Sequence, residues 1–352
     1  MPQTILEGTA ALPQLLSGRR YMLVCGRSFH GQPLFRQLAG GAVIVFGEFS
    51  PNPLYEQVRE GIRIFNENRC ASIVAAGGGS AMDVAKCIKL YCQVPQEQNF
   101  LQTEKHDTGI PLFAIPTTAG TGSESTRHAV IYYQGVKQSI SHPSIVPDVA
   151  ILEPALLKSL PLYQRKCTMM DALCQAIEST WSVNSTDESK GFAHQAITLI
   201  RDNWQDYLIR QDDHAAALIL KAANLSGRAI NLTATTAPHA MSYKLAALHN
   251  LPHGHAVAVC LPEVWEYMLA HLDDCVDARG SNYLADILAS LPVSLEWFRL
   301  LMAQLELASP VSTDISQELP TLLHSVNPER LKNNPVALLQ QALSAIYKRI
   351  LH

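Results

Sequence analysis

The sequence predicts an α/β N-terminal domain over residues 1–160 and an all-α C-terminal domain over residues 161–352. The chain has 352 residues, which exceeds the usual size of a single hydrophobic core. Short β-rich runs alternate with helical patterns up to about residue 160, and Ala-, Leu- and Gln-rich helical segments follow. We therefore expect two closely docked domains with a cleft between them.

The predicted strands of the N-terminal domain are apolar runs bounded by turn residues. In chain order they cover residues 20–25, 42–46, 71–76, 111–115 and 148–152, with a hairpin of 128–133 and 137–141. A helix is predicted over 53–69, with an apolar face of Leu54, Val58, Ile62 and Phe65. Continuous apolar strands that alternate with helices indicate a parallel sheet covered on both faces.

The second half of the chain shows helical periodicity interrupted by Asn, Pro and Asp. The clearest predicted helices cover residues 168–181, 188–208, 214–232 and 335–351. There is no internal repeat and no low-complexity linker, so the boundary is expected near Pro161.

Composition narrows the class of partner. The net charge of −4, without long runs of one sign, disfavours a nucleic acid or an anionic membrane as the main partner. The eight cysteines contain no CxxC pair, which fits a reducing cytoplasm without disulfides. Residues 1–5 show no signal-peptide pattern, and no apolar stretch is long enough to span a bilayer.

A glycine run follows the third predicted strand and opens a helix. Backbone N–H groups of Gly77, Gly78 and Gly79 can approach a phosphate at a helix N-terminus. Ser80 and Asp83 have the spacing of a capping box, with Asp in place of the usual Glu. A tight turn before a capped helix explains the same residues equally well, since the run differs from the GxGxxG pattern.

A second polar loop, residues 116–124, follows the fourth predicted strand. Its hydroxyl side chains are those of Thr117, Thr118, Thr121 and Ser123. Open α/β sheets bind nucleotides at the carboxyl ends of their strands, so this loop can line such a site, although a flexible polar loop is the simpler interpretation. Two such loops in one sheet strengthen the nucleotide interpretation of both.

One carboxylate and two imidazoles in the second half suit a divalent cation with an open coordination position. These are Asp171, His239 and His253. Gln175 lies four residues after Asp171 and so on the same helical face. The chain has 13 histidines, and a lone histidine is more often structural than a ligand. His255 is left open because it neighbours His253.

These motifs closely resemble the iron-containing, or group III, alcohol dehydrogenases, a superfamily that includes glycerol dehydrogenase and dehydroquinate synthase. The resemblance is carried, in the family's order, by residues 77–86, 116–124, 147–154, 171–178 and 239–262. It implies a dehydroquinate synthase-like architecture, with a dinucleotide-binding α/β domain, an all-helical metal and substrate domain, and a nicotinamide cofactor in the cleft.

The resemblance implies that Asp171, His239 and His253 are metal ligands. Gln175 falls where iron-dependent members have His, so the divalent metal is expected to be Fe²⁺ or Zn²⁺, and an amide oxygen is the weaker fourth ligand. Tyr243 falls where many members have a second His that helps to relay a proton. Tyr243 and His255 are therefore the two candidates for a catalytic proton donor.

The end of the strand at residues 20–25 gives a cofactor prediction. Members that prefer NAD often place an Asp there to accept from the ribose 2′-hydroxyl, whereas this chain has Gly26 followed by Arg27. Without the carboxylate a 2′-phosphate is not repelled, and Arg27 can pair with it. We therefore expect NADPH, with NADH as the alternative, while a solvated surface position is the plainer interpretation of Arg27.

The metal-domain segments are similar to those of phosphonoacetaldehyde reductases, which implies reduction of phosphonoacetaldehyde to 2-hydroxyethylphosphonate in phosphonate biosynthesis. A phosphonate needs a cationic partner, and Arg127 and Lys244 are candidates, although each can equally be a surface charge. The alternatives are a general short-chain alcohol or polyol dehydrogenase, a dehydroquinate-synthase-like lyase, and a non-catalytic relative. We expect a homodimer that acts on a small aldehyde or alcohol.

Overall fold

The computed structural model describes residues 3–352 and forms two compact units, one ending at Ser159 and the other beginning at Leu160. Met1 and Pro2 lie outside the described residues. They belong to residues 1–5, where the sequence shows no signal-peptide pattern. The first unit is α/β and the second is helical, as the sequence predicts.

The first unit contains a six-stranded parallel sheet and a separate hairpin. Its sheet strands are β1 (Thr4–Glu7), β2 (Tyr21–Cys25), β3 (Ile44–Phe46), β4 (Ser72–Gly77), β5 (Leu112–Pro116) and β8 (Val149–Leu152). The sheet order is β1-β8-β5-β4-β2-β3. The antiparallel hairpin is formed by β6 (His128–Tyr133) and β7 (Val136–Ser141).

The central strands are apolar because helices cover both faces of the sheet. Every residue of β2, β4 and β5 is buried, which is what continuous apolar runs predict for a parallel sheet. Strand β1 was not predicted: it is short, and Thr4 and Glu7 at its ends are exposed. The glycine run therefore follows the fourth strand in chain order, not the third.

The described part of this unit has four α-helices: α1 (Leu12–Leu16), α2 (Pro33–Gly41), α3 (Tyr55–Glu67) and α4 (Gly79–Tyr91). Helix α3 is shorter than predicted at both ends. Its first turn begins after Leu54, whose backbone N–H donates to the Gln57 side chain at 2.9 Å. The helix ends at Glu67, and the chain changes direction at Arg69, which has a φ of +50°. Leu54 consequently lies outside the helix and is exposed, contrary to the predicted apolar face.

The second unit consists of helices, with a short β-bridge between Cys275 and Val336. The helices are α5 (Leu162–Trp181), α6 (Asp187–Gln205), α7 (Asp213–Thr233), α8 (Ala237–His249), α9 (His253–Ala270), α10 (Ser281–Ser290), α11 (Leu295–Gln304), α12 (Ile315–Ser325), α13 (Pro328–Leu331) and α14 (Gln340–Ile350). Helix α5 is central: residues 169–181 are all buried, and it packs against α6, α7 and α9.

The last helix begins later than predicted. Residues 335–339 are not helical, because Pro335 accepts a hydrogen bond from the Val276 backbone and Val336 bridges to Cys275. Helix α14 therefore starts at Gln340 and not at Pro335. Among the described residues, no helix is long and apolar enough to cross a bilayer.

Candidate active site

Three helices of the second unit bring the predicted metal ligands together. Asp171 lies on α5, His239 lies on α8, and His253 is the first residue of α9. The Asp171 Oδ1 atom is 3.3 Å from His239 Nε2 and 3.8 Å from His253 Nε2. The three donor atoms lie within 4.8 Å of one another. Asp171 and His239 are buried, whereas the His253 side chain is 40% exposed, so the cluster opens on the His253 side.

Local sequence explains how α9 presents His253 at its first position. Helix α8 ends where Asn250 adopts a φ of +49°, and Pro252 then precedes the first turn of α9. A Cβ atom at Gly254 would lie 2.0 Å from the Cys167 carbonyl oxygen and 2.9 Å from the Asp171 Cβ. Only glycine permits this approach, so Gly254 lets the start of α9 touch α5 beside Asp171.

The cluster fits a divalent cation. The Asp171 Oδ1 and His239 Nε2 atoms are buried and face each other at 3.3 Å, but neither makes a well-formed hydrogen bond among the described residues. Burying polar atoms without a partner costs about 1–3 kcal/mol each, and a shared cation removes this cost. Burial favours the neutral form of Asp171 and so raises its pKa. The nearby His253 and His239 and an amide hydrogen bond from Gln175 have the larger combined effect. The pKa of Asp171 therefore lies below its usual value.

Glu178 fixes the orientation of His239, a role that the sequence analysis missed. One Glu178 oxygen accepts from His239 Nδ1, and the other accepts from the Thr236 backbone and hydroxyl at 2.7 and 2.8 Å. Burial opposes protonation of His239, but Glu178 and Asp171 raise its pKa to about 9. Because Nδ1 is held by a carboxylate, Nε2 faces the cluster.

A helical signal for Glu178 was present in the sequence. Asp171, Gln175 and Glu178 lie at positions i, i+4 and i+7, which share one helical face. Gln175 is buried with this face. Its amide donates to Asp171, and its Oε1 lies 3.0 Å from the Ser226 hydroxyl. Gln175 thus belongs to the same cluster, in contact with the carboxylate.

Of the two proton-donor candidates, Tyr243 lies beside the cluster. It is one helical turn after His239 on α8, and its ring stacks on His253 with centroids 5.4 Å apart. Its hydroxyl accepts a hydrogen bond of 2.7 Å from Arg330 Nη1. Arg330, on α13, is a second residue that the sequence analysis missed.

His255 faces away from the cluster, because residues i and i+2 of a helix point in different directions. Its Nδ1 is 2.8 Å from the Tyr163 hydroxyl, and its Nε2 is 2.9 Å from the Ala308 carbonyl oxygen. Burial lowers the pKa of His255, although the hydrogen bond to the Ala308 carbonyl partly opposes the shift. The structure therefore groups Tyr243, but not His255, with the metal-ligand candidates.

The two predicted cationic substrate residues occupy different places. Lys244 is half-buried on α8, one residue after Tyr243 and therefore roughly 100° further around the helix. Arg127 belongs to the first unit, directly before strand β6, and its carbonyl accepts from His142.

In the first unit, the cofactor candidates meet at the carboxyl ends of three adjacent strands. Gly26 follows β2, and the glycine run of residues 77–79 begins at the last residue of β4. The polar loop of residues 116–124, called the threonine loop below, begins at the last residue of β5. The chain passes from β2 to β3 on one side and then returns to β4 on the other side of β2. Open parallel sheets bind ligands at such a reversal of strand order.

The two loops pack against each other. A Cβ at Gly78 would lie 3.3 Å from Thr118 Cγ2, and one at Gly79 would lie 3.2 Å from Thr121 Cγ2. The Thr117 backbone N–H also donates to the Gly77 carbonyl at 3.0 Å. Larger side chains would crowd the loops where they touch, and the small residues leave backbone N–H groups at the start of α4.

The predicted capping box is wrong. Helix α4 begins at Gly79 with Gly78 as its N-cap, and no side-chain hydrogen bond caps it. Ser80 lies inside the first turn, and Asp83 is half-buried, where its carboxylate accepts from the Ser123 hydroxyl at 3.2 Å. The close approach of Thr118 leaves little space for a capping side chain at Gly78.

Asp83 and Ser123 belong to a buried polar network behind the loops. Lys86 donates to Ser123 Oγ at 2.9 Å, Thr126 Oγ1 at 3.0 Å and the His128 carbonyl at 2.8 Å. Burial raises the pKa of Asp83 to about 6, although the Lys86 ammonium partly opposes the shift. This network ties the threonine loop to α4, so Asp83 and Ser123 fix the shape of the loops from inside.

The end of strand β2 has room for a larger side chain. No atom lies within 4 Å of a Cβ built on Gly26, whose φ of −78° suits any residue. Arg27 is 86% exposed and 4.0 Å from Glu48, an ion pair that water screens strongly. The guanidinium is therefore on the surface beside the strand ends.

Comparison with known proteins identifies the class. Residues 2–154 match the model described as iron-containing alcohol dehydrogenase, and residues 166–291 match its C-terminal domain model. The chain therefore belongs to the iron-containing alcohol dehydrogenase family. This confirms the resemblance, the fold class and the expectation of an oxidoreductase.

Particular relatives narrow the comparison. A phosphonoacetaldehyde reductase of Streptomyces viridochromogenes is 33% identical over 81% of this chain and 78% of its own length. A probable alcohol dehydrogenase EutG of Salmonella typhimurium is 36% identical over 66% of this chain and 60% of its own length. A sulfoacetaldehyde reductase of Bifidobacterium kashiwanohense, solved with NAD⁺, superposes with a TM-score of 0.88 over 99% of this chain and 97% of its own at 25% identity.

Proposed function

We propose that this protein reduces phosphonoacetaldehyde to 2-hydroxyethylphosphonate, as a step of phosphonate biosynthesis. The reaction consumes one NADPH, with NADH as the second choice, and one proton per aldehyde. It requires a divalent cation, Fe²⁺ or Zn²⁺. Membership of the alcohol dehydrogenase family supports the reaction type, and the similarity to a phosphonoacetaldehyde reductase supports the substrate.

The cluster of Asp171, His239 and His253 is the observation that carries this proposal. We infer that these side chains hold the cation, with Gln175 as a weaker fourth ligand whose amide turns its oxygen from the Ser226 hydroxyl toward the cation. A bound divalent cation supplies a Lewis acid for the carbonyl oxygen, and the nicotinamide supplies a hydride. Glu178 keeps the Nε2 atom of His239 pointed at the cluster, and the exposed side of His253 admits the substrate.

Residues 1–160 are proposed as the dinucleotide-binding domain, and residues 161–352 as the metal and substrate domain. The diphosphate is assigned to the glycine run and the threonine loop, through Gly77, Gly78, Gly79, Ser80, Thr117, Thr118 and Thr121, with Asp83 and Ser123 supporting them. The reversal of strand order at this edge supports the assignment. Gly26 and Arg27 are assigned to the ribose 2′-phosphate.

Tyr243 is the proposed proton donor to the oxygen of the nascent alcohol. Its hydroxyl accepts from Arg330, so its own hydrogen is directed away from the guanidinium. Stacking of the ring on His253 supports this role because it keeps the hydroxyl near the ligand cluster. The sequence predicts Arg127 and Lys244 as the cationic partners of the phosphonate.

The competing candidate is a general short-chain alcohol dehydrogenase, which the similarity to EutG favours.

A cytoplasmic location is also proposed, supported by eight cysteines that are all free of disulfides. A homodimer completes the proposal, and light scattering coupled to size-exclusion chromatography tests it.

A steady-state assay of metal-reconstituted protein tests the function. Phosphonoacetaldehyde, sulfoacetaldehyde, propanal, lactaldehyde and succinic semialdehyde are each compared with NADH and NADPH. The proposal expects the highest kcat/KM for phosphonoacetaldehyde with NADPH. A higher kcat/KM for propanal than for phosphonoacetaldehyde would contradict the phosphonate assignment and support the general alcohol dehydrogenase.

A further inference from the structure

Arg330 lies beside the metal-ligand cluster without belonging to it. Its Nη1 atom donates to the Tyr243 hydroxyl at 2.7 Å, and its guanidinium carbon lies 5.2 Å from the centre of the Tyr243 ring. The His253 ring stacks on the same ring, with centroids 5.4 Å apart and an interplanar angle of 6°. Tyr243 thus connects the guanidinium to a proposed metal ligand.

The backbone around Arg330 is anchored to the helical unit. Asn327 caps α13 by accepting from the Glu329 backbone at 2.9 Å. Beyond the helix, the Asn333 side chain donates to the Thr235 carbonyl at 3.1 Å, and the Val183 backbone donates to the Asn333 carbonyl at 3.1 Å. Arg330 Nη1 itself lies 3.4 Å from the Thr235 hydroxyl. The guanidinium is therefore held in place before any ligand arrives, which lowers the entropy lost on binding.

The chemistry of this position suits an oxyanion. A guanidinium is always charged and has five N–H donors in a planar fork that matches the oxygens of a phosphonate or sulfonate. Nη1 contacts the hydroxyl oxygens of Tyr243 and Thr235. An oxyanion would add a hydrogen bond between two charged groups, which is shorter and stronger than one between neutral groups.

Arg330 also fits better than Lys244, the cation predicted in the same unit. Lys244 is one residue after Tyr243, so the two side chains leave α8 roughly 100° apart. Arg330 contacts the very ring that stacks on His253. A two-carbon aldehyde has its charged group and its carbonyl carbon only about two bonds apart, so its anion partner must lie near the ligand cluster.

We propose that Arg330 is the specificity residue that binds the phosphonate or sulfonate group of a two-carbon aldehyde. The inference rests on the proposed function. Tyr243 holds the guanidinium at the rim of the cluster, and the bound anion orients the carbonyl group toward His253. The substrate class is then an aldehyde that carries a tetrahedral oxyanion on the neighbouring carbon. Aldehydes without this group are excluded from the class.

The test compares Arg330→Gln and Arg330→Lys with wild-type protein. The readouts are kcat/KM for phosphonoacetaldehyde, sulfoacetaldehyde and propanal, and calorimetric binding of 2-hydroxyethylphosphonate. Loss of a charge-assisted contact predicts that Arg330→Gln lowers kcat/KM for the anionic aldehydes roughly ten- to hundredfold more than for propanal, mainly through KM, and weakens the binding of 2-hydroxyethylphosphonate by a similar factor. Arg330→Lys keeps the charge but loses the fork, so its loss should be smaller.

Lys332→Gln is the matched control, since it removes a positive charge from an exposed side chain two residues away that pairs with Glu329. It should keep the wild-type preference. If wild-type protein prefers an anionic aldehyde and Arg330→Gln keeps that preference and the product affinity, the role of Arg330 is overturned while the proposed function stands. If wild-type protein prefers propanal, the proposed function fails and the role of Arg330 fails with it. The comparison of phosphonoacetaldehyde with sulfoacetaldehyde shows which oxyanion the site accepts.

Discussion

The two candidate sites of this protein are built in opposite ways. In the helical unit, Asp171, His239 and His253 converge from three helices, and buried polar atoms are left for a cation. In the α/β unit, the candidate cofactor positions are short contiguous loops at the ends of adjacent strands. The first site therefore depends on side-chain packing between helices, whereas the second depends on backbone shape. Substitutions that change packing should damage the first far more than the second.

The largest effect is expected from Gly254→Ala. A Cβ there would collide with the Cys167 carbonyl at 2.0 Å, a backbone atom that cannot move without shifting α5. We expect loss of most bound metal and a fall in stability of about 2–5 kcal/mol, in the range of severe overpacking. Metal content and thermal unfolding measure both.

Gly191→Ala on α6 is the control for that substitution. It has no atom within 4 Å of the new Cβ and should be neutral or stabilising by about 0.5–1 kcal/mol. If Gly254→Ala keeps full metal occupancy and stability, the contact between α9 and α5 does not form the site.

The orientation of His239 provides the second prediction. Glu178→Gln keeps the size of the side chain but removes the charge that holds His239 Nδ1. Loss of such a supporting carboxylate typically weakens metal binding about 10–100-fold. Competition with a chelator measures the affinity. Glu188→Gln, at an exposed position of α6, should leave it unchanged, and equal affinity in both variants would remove Glu178 from the site.

A change at the strand ends should alter cofactor preference without altering folding. Gly26→Asp has space for its side chain and an ordinary backbone conformation. Its carboxylate would repel a 2′-phosphate and accept from a 2′-hydroxyl, so the ratio of NADPH to NADH affinity should fall roughly ten- to hundredfold. Fluorescence titration with both cofactors measures the ratio. A wild-type protein that already prefers NADH by that margin contradicts the assignment of Gly26 and Arg27.

The smallest change is expected at Gln175. Its amide contacts Asp171, so an imidazole placed there would lie within the same cluster. Gln175→His should bind Fe²⁺ more tightly than wild type, by about 1.4 kcal/mol or tenfold, since imidazole is a better ligand than an amide. Anaerobic titration with Fe²⁺ measures this, and unchanged affinity would mean that position 175 does not face the cation.

The same contrast decides what the sequence could predict. The buried strands β2, β4 and β5 were predicted because continuous apolar runs are a local signal. Strand β1 was missed because it is short and exposed at both ends. The capping box failed because its spacing is local, whereas the choice of Gly78 as N-cap depends on Thr118 from another loop.

In the helical site, family motifs gave the ligand candidates, but their supporting residues depend on tertiary contacts. Arg330 is 87 residues from Tyr243 in the chain, and no local pattern links them. Gly254 was visible only as part of a motif, since its function is the close approach to Cys167. Glu178 shares a helical face with Asp171, but its partner His239 lies 61 residues away.

The central claim is that Asp171, His239 and His253 bind one divalent cation. Calorimetric titration of Zn²⁺ into metal-free wild-type protein, His253→Ala and His271→Ala tests it most directly. His271, which stacks on Tyr267 just after α9, is the control. We predict one equivalent bound by wild type and His271→Ala, and affinity reduced by more than about a hundredfold in folded His253→Ala, beyond the effect of supporting residues. Wild-type affinity in His253→Ala would contradict the claim.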